Sequence, residues 1–162
     1  MRSRRFAGAL QNSPESIKSL LVYRLSLGYL AGMRFSAADS DDGHLIFGYG
    51  PGRILIGGRT YTRGLIVSPE RIDTDWGPEN AIDLAAKHFD ALLALDPQII
   101  IIGTGKHQIF PDPNTYLTAL QQGLGVDIMD TGAACRAYNI LVSEGRKVVA
   151  GLIMCRDMAN PF

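Results

Sequence analysis

Between Gly43 and Trp76 the apolar positions fall in short runs broken by turn residues. "HLIFGYG" and "RILIGGRTY" flank Gly50-Pro51-Gly52, and Gly57-Gly58 divides the second run. Glycine and proline pairs at such intervals are the grammar of hairpins. "TRGLIVSP" reads as a further short strand closed by Pro69, and "RIDTDW" as one more. The whole portion is expected to form a small antiparallel meander.

Beyond Pro78 the period changes. Ile82, Ala85, Ala86, Phe89, Leu92 and Leu93 recur at helical spacing and stop before Asp96-Pro97. "QIIIIG" is apolar throughout, as a strand covered on both faces must be. Asp112 and Pro113 start a second helix, predicted to bury Tyr116, Leu117, Leu120 and Leu124. "GVDIMD" is the next strand. A third helix runs through "TGAACRAYNILVSEG", with Ala134, Ala137, Tyr138 and Leu141 on one face and Gly145 as its stop. "KVVAGLIM" closes the series as a strand. Helix and strand alternating in this way predict an α/β protein of three layers. Its central sheet is mixed, flanked by helices, with the small meander packed beside it. The expected core joins Phe89, Ile100, Ile102, Leu120, Ala137 and Leu141.

Charge divides the chain. Residues 1–32 hold five basic side chains against Glu15 alone, a balance of +4, and the rest holds 11 basic and 15 acidic ones, a balance of −4. Residues 1–32 are therefore expected to be a disordered or loosely helical N-terminal extension. Residues 33–162 then form one α/β domain with its core at 43–154. The composition of 1–32 also fits a mitochondrial presequence or an amphipathic surface helix. The preferred location is the bacterial cytoplasm, with the mitochondrion as the alternative. An acidic domain is a poor match for nucleic acid, whose binders concentrate positive charge. "SLLVYRLSLGYLAG" is interrupted by Arg24 and too short to span a bilayer, so no stable membrane insertion is expected.

Few residues carry recognisable chemistry. Cys135 and Cys155 are not in a CxxC pair, and with His44, His88 and His107 they make no zinc spacing. No metal or cofactor is expected. "IIIIGTGKH", 99–107, suggests a phosphate loop. Its glycines nevertheless stand two apart, no Ser or Thr follows the lysine, and Gln108 replaces the third glycine of a dinucleotide fingerprint. A tight exit from a buried strand accounts for the same residues. "DTGAACR", 130–136, opens a helix with small residues, a setting that lets an anion approach backbone amides. If strands 98–103 and 125–130 are parallel neighbours, both loops leave the same sheet edge. Gly103, Thr104, Gly105, Lys106, Thr131, Gly132, Ala133 and Arg136 then outline a candidate anion crevice, with His107 nearby. Close packing of helix on sheet explains the small residues equally. Cys135 is read as a small buried thiol and His88 as a solvated position. Trp76 is read as a lid over core. Asp73, Asp75 and Glu79 suit a helix start better than a cation site.

"YTRGLIVSP", "LDPQIIIIGTG" and "GLGVDIMDTGAACRAYNILVSEGRKVVAGL" resemble a family of small domains of unknown function. It includes a mitochondrial complex I assembly factor and an adipogenesis-associated cytosolic protein. The resemblance covers about residues 40–154 and leaves out 1–32. It implies a three-layer α/β fold, protein partners and no catalytic residues to transfer. The expected function is accordingly that of a non-catalytic interaction or assembly-factor-like protein whose partner is another protein. The alternative is an enzyme or binder of a small anion or nucleotide in the crevice between 103–107 and 130–136.

Overall fold

Four consecutive isoleucines need cover on both sides, because alternate side chains of a strand leave opposite faces. The computed structural model, which describes residues 34, 35 and 43–154, provides it. The strand Ile99–Thr104 (β7) lies between β8 (Gly125–Met129) and β9 (Val148–Ile153), parallel to both. Beyond β9 come β5 (Leu65–Val67) and β6 (Ile72–Thr74), each antiparallel to its neighbour. The central sheet is thus mixed and five-stranded, in the order β6-β5-β9-β7-β8. A second, antiparallel sheet holds β1 (Arg34–Phe35), β2 (Ile46–Gly50), β3 (Arg53–Ile56) and β4 (Arg59–Tyr61) in sequence order.

The meander is therefore shorter than its turn pattern suggested. "LIV" and "IDT" belong to the central sheet, where β5 pairs with β9 through Leu65–Leu152 and Val67–Ala150. All three residues of β5 are buried, which an edge of a small meander could not arrange.

Two apolar clusters fill the layers. On one face Ile101, Ala150 and Leu152 meet Ile46, Ile54 and Ile56 of the small sheet, and Ala134, Cys135 and Tyr138 of α3 (Thr131–Ser143). On the other, Ile100, Ile102, Val149 and Ile153 meet Phe89 and Leu92 of α1 (Ala86–Leu93), Ala119 of α2 (Leu117–Gln121), and Trp76. The expected single core of Phe89, Ile100, Ile102, Leu120, Ala137 and Leu141 is split by the sheet. Ala137 and Leu141 are half-buried against the Ile101 face, whereas Phe89, Ile100 and Ile102 share the other. Leu120 joins neither.

Helix boundaries also differ. Ile82 lies in a 3-10 turn (Ala81–Asp83) and is 76% exposed, and α1 begins only after Ala85. The second helix is a 3-10 turn at Pro113–Tyr116 followed by five α residues, with Asp112 accepting from the Asn114 amide as N-cap. Only Ala119 of those five is buried, and Leu117 and Leu120 are 45% and 47% exposed. The third helix starts and stops as expected, from the Asp130 cap to a left-handed Gly145. Residues 1–32, Cys155 and the expectations attached to them lie outside the described residues.

Candidate functional site

β7 and β8 are parallel neighbours, so the loops that follow them emerge together at the carboxyl edge of the sheet. The chain from β7 continues to the α2 face and the chain from β8 enters α3 on the other face. Such an edge is where open α/β sheets hold ligands. The two loops are tightly tied to each other. Thr131, 1% exposed, accepts from the Gly105 amide at 2.8 Å through its hydroxyl and donates to Ile153 O at 2.5 Å. Its own amide donates to Gly105 O at 2.8 Å. Thr104 Oγ1 lies 2.7 Å from His107 O and 3.0 Å from Met129 O, and it accepts from Ile109 N–H at 3.1 Å.

The glycines serve this closeness. A Cβ at Gly103 would stand 2.9 Å from Thr131 Oγ1 and 3.0 Å from Thr131 Cα, so α3 can start directly above β7. Gly105 has φ +95, a backbone state that other residues avoid. Gly132 is buried beneath Tyr49, whose Cε2 would be 2.8 Å from an added Cβ.

Asp130 caps α3, its carboxylate accepting from the Ala133 amide at 2.8 Å. That carboxylate thus sits on one of the amides an anion would use. The Ala134 amide is spent on Asp130 O. Arg136 is exposed and turns to the small sheet, donating to Tyr49 Oη with its guanidinium 5.8 Å from the ring centre. Lys106 and His107 are exposed on the β7 loop. Gly103, Thr104, Gly105, Thr131 and Gly132 are buried at this junction, with Ala133 half-buried beside them.

Beside the end of β9 lies a cleft of about 260 Å³ lined by Arg63, Asp75, Trp76, Glu79 and Met154 among others. Arg63 and Asp75 pair across it at 2.7 Å, and this bond raises the arginine's pKa. Asp73 pairs with Arg71 at 2.7 Å. Trp76 is 7% exposed and donates from Nε1 to His88 O at 3.0 Å. His88 is not a merely solvated position. Its Nδ1 accepts from the Ala85 amide at 2.9 Å, capping α1, and burial, aided by the Lys87 charge, lowers its pKa. Cys135 is buried at the start of α3.

Periodicity did not mark the surface beyond the β7 loop. There Ile109 and Phe110 are 39% and 67% exposed, ahead of the exposed leucines of α2. The signal available was the polar and proline-rich context "KHQIFPDPN", which makes apolar residues unlikely to be core. The loop is pinned by the Thr104 bonds and by Gln108 Nε2, which donates to Ile128 O at 2.7 Å. Among the described residues, no helix is long and apolar enough to cross a membrane.

Comparison with known proteins places this arrangement. A "13 kDa major membrane protein" of Francisella tularensis is 33% identical over 101 residues, covering 62% of this chain and 82% of its own. "NADH dehydrogenase [ubiquinone] 1 alpha subcomplex assembly factor 3" of Xenopus tropicalis is 31% identical over 117 residues, 71% of this chain. The match spans only 63% of that assembly factor's length. A crystal structure of a Bordetella parapertussis protein aligns with a TM-score of 0.66 at 31% identity, covering 71% of this chain and 98% of that one. A Bordetella pertussis protein described as an Mth938-like domain aligns with a TM-score of 0.65 at 26% identity, over 77% and 94%. The family model for "Protein of unknown function (DUF498/DUF598)" matches residues 46–153, and the chain belongs to that family.

Proposed function

We propose that this chain is a non-catalytic interaction protein, of assembly-factor type, that binds another protein through the surface formed by Ile109, Phe110 and α2. The observation that carries the reading is Phe110, 67% exposed on a loop held by hydrogen bonds at Thr104 and Ile128. A large apolar side chain presented on a fixed loop suits a partner's pocket, because little ordering entropy is lost on binding. The Xenopus relative's name, an assembly factor, supports protein as the partner class. Bacterial relatives favour a bacterial cell, and the cytoplasm is the compartment this reading assigns. Fractionation that finds the chain in membranes, as the Francisella relative's name would have it, overturns that assignment.

The test is affinity purification of the tagged full chain from its own organism, quantified beside Phe110→Asp. A partner recovered with the parent chain should be depleted with the variant, while both proteins melt at the same temperature. Recovery indifferent to Phe110→Asp refutes the docking surface.

A small anion at the Gly132–Ala134 amides is the second reading, favoured by the parallel adjacency of the two loops and opposed by the Asp130 carboxylate. Lys106 or Arg136 would be its counter-charge. Amide shifts at Gly132–Ala134 on phosphate titration support it, and their absence at millimolar phosphate removes it.

A further inference from the structure

Among the described residues the central sheet ends at β8, a strand of five residues. Met129 O faces β7, where Thr104 Oγ1 reaches it at 3.0 Å. Successive residues of a strand turn their N–H and C=O to opposite sides, so those of Val126 and Ile128 point to the open side. Gln108 Nε2 donates to Ile128 O at 2.7 Å and so closes the carboxyl end of that edge. Among the described residues, the backbone groups of Val126 and the N–H of Ile128 have no strand partner on that side.

The two faces flanking this edge differ. Val126 and Ile128 pack with the α1–α2 cluster, and on that side Leu117 and Leu120 of α2 stand exposed. On the other side Asp127 is exposed between Gly125 and the half-buried Met129.

We propose that β8 receives an extended segment of a partner protein as an added strand, with a lysine or arginine beside Asp127 and apolar residues over Leu117 and Leu120. The backbone groups supply affinity and the alternating side chains supply choice, as in strand addition generally. Charge decides the occupant. A second copy paired through Val126 and Ile128 would set Asp127 against Asp127, and like charges directly opposite are destabilising. Residues 33–162 carry 11 basic and 15 acidic side chains against the +4 balance of residues 1–32, so the net charge selects no occupant, and it is the exposed Asp127 on this edge that draws a basic segment. This inference rests on the reading of the chain as a protein binder and specifies the partner's form.

The experiment uses the full chain and two short probe peptides, one alternating valine with lysine and one alternating valine with glutamate. Hydrogen exchange at the Val126 and Ile128 amides should slow with the lysine peptide and stay unchanged with the glutamate peptide. Asp127→Lys should weaken lysine-peptide binding by roughly three- to twentyfold, and Asp127→Asn should erase most of the discrimination. Equal responses to both peptides, no protection with either, or amides already protected in the full chain alone would each overturn the proposal. A native partner lost with Phe110→Asp but retained with Asp127→Lys would leave the interaction function standing and remove strand addition.

Discussion

Gly151 occupies the middle of β9, bonded on one side to β5 opposite Ile66 and on the other to β7 opposite Ile102. The Trp76 indole lies flat against it. A Cβ there would fall 2.4, 2.7 and 2.8 Å from Cη2, Cζ2 and Cζ3 of the ring, where ordinary contact begins at 3.4 Å. Gly151→Ala therefore requires the ring to withdraw by about 1 Å, since a strand paired on both sides cannot move. The ring is itself held by its bond to His88 O at 3.0 Å and is packed with Ile66, Phe89 and Ile153. Overpacking of this kind costs about 1–3 kcal/mol. Loss of the indole hydrogen bond adds about 1 kcal/mol. Relief of glycine's chain entropy returns roughly 0.5–1 kcal/mol. The net expectation is a loss of about 2 kcal/mol, or on the order of 10 °C in melting temperature for a domain of this size.

The decisive assay is a double-mutant cycle by urea unfolding, pairing Gly151→Ala with Trp76→Phe. A phenyl ring stops short of the outer indole carbons, so the second change makes room for the methyl while costing stability alone. The double variant should recover roughly 1–2 kcal/mol relative to the sum of the singles. Additivity within about 0.5 kcal/mol would refute the claim that this glycine is reserved for the tryptophan.

Three further outcomes are expected. Thr131→Val leaves the Gly105 amide and Ile153 O without their bridging hydroxyl and should cost about 1–3 kcal/mol in denaturant unfolding; an unchanged midpoint would mean those groups find other partners. Leu120→Asp should stay within about 0.5 kcal/mol of the parent chain, as an exposed position does, whereas Ala119→Asp, at a fully buried site, should unfold the domain in the same assay. His88 titrates below its ordinary 6.5 in the folded chain, so just below pH 6.5 the unfolded state binds more protons. Its contribution is full above pH 6.5 and declines as pH falls toward the folded value; His88→Gln, which keeps a cap acceptor, should remove that portion of the melting-temperature profile.

Much of the site was legible in particular residues. Gly103, Gly105, Thr131 and Gly132 announced a close junction because only small or hydroxylated residues permit one. What they could not announce was that the junction's polar groups would bond to one another. That depends on β9 bringing Ile153 O beneath Thr131, a pairing between strands distant in sequence. Likewise Arg136 looked like ligand-binding chemistry, and the structure turns it instead to Tyr49, 87 residues away.

The sequence by itself determined the order of strands and helices after residue 95, the buried strand through residues 100–102 and both ends of α3. These follow from local period and caps. That β7 and β8 lie side by side and parallel was decided by the tertiary structure. Which face each residue buried was decided only by tertiary structure. Leu117 and Leu120 have helical spacing, but α2 is five residues long and inserts Ala119 alone. Leu65–Val67 has the form of a hairpin strand, yet it pairs with β9 because the central sheet would otherwise expose Ala150 and Leu152 at an edge. A short apolar run states that it must be buried, and only the remaining chain settles against what.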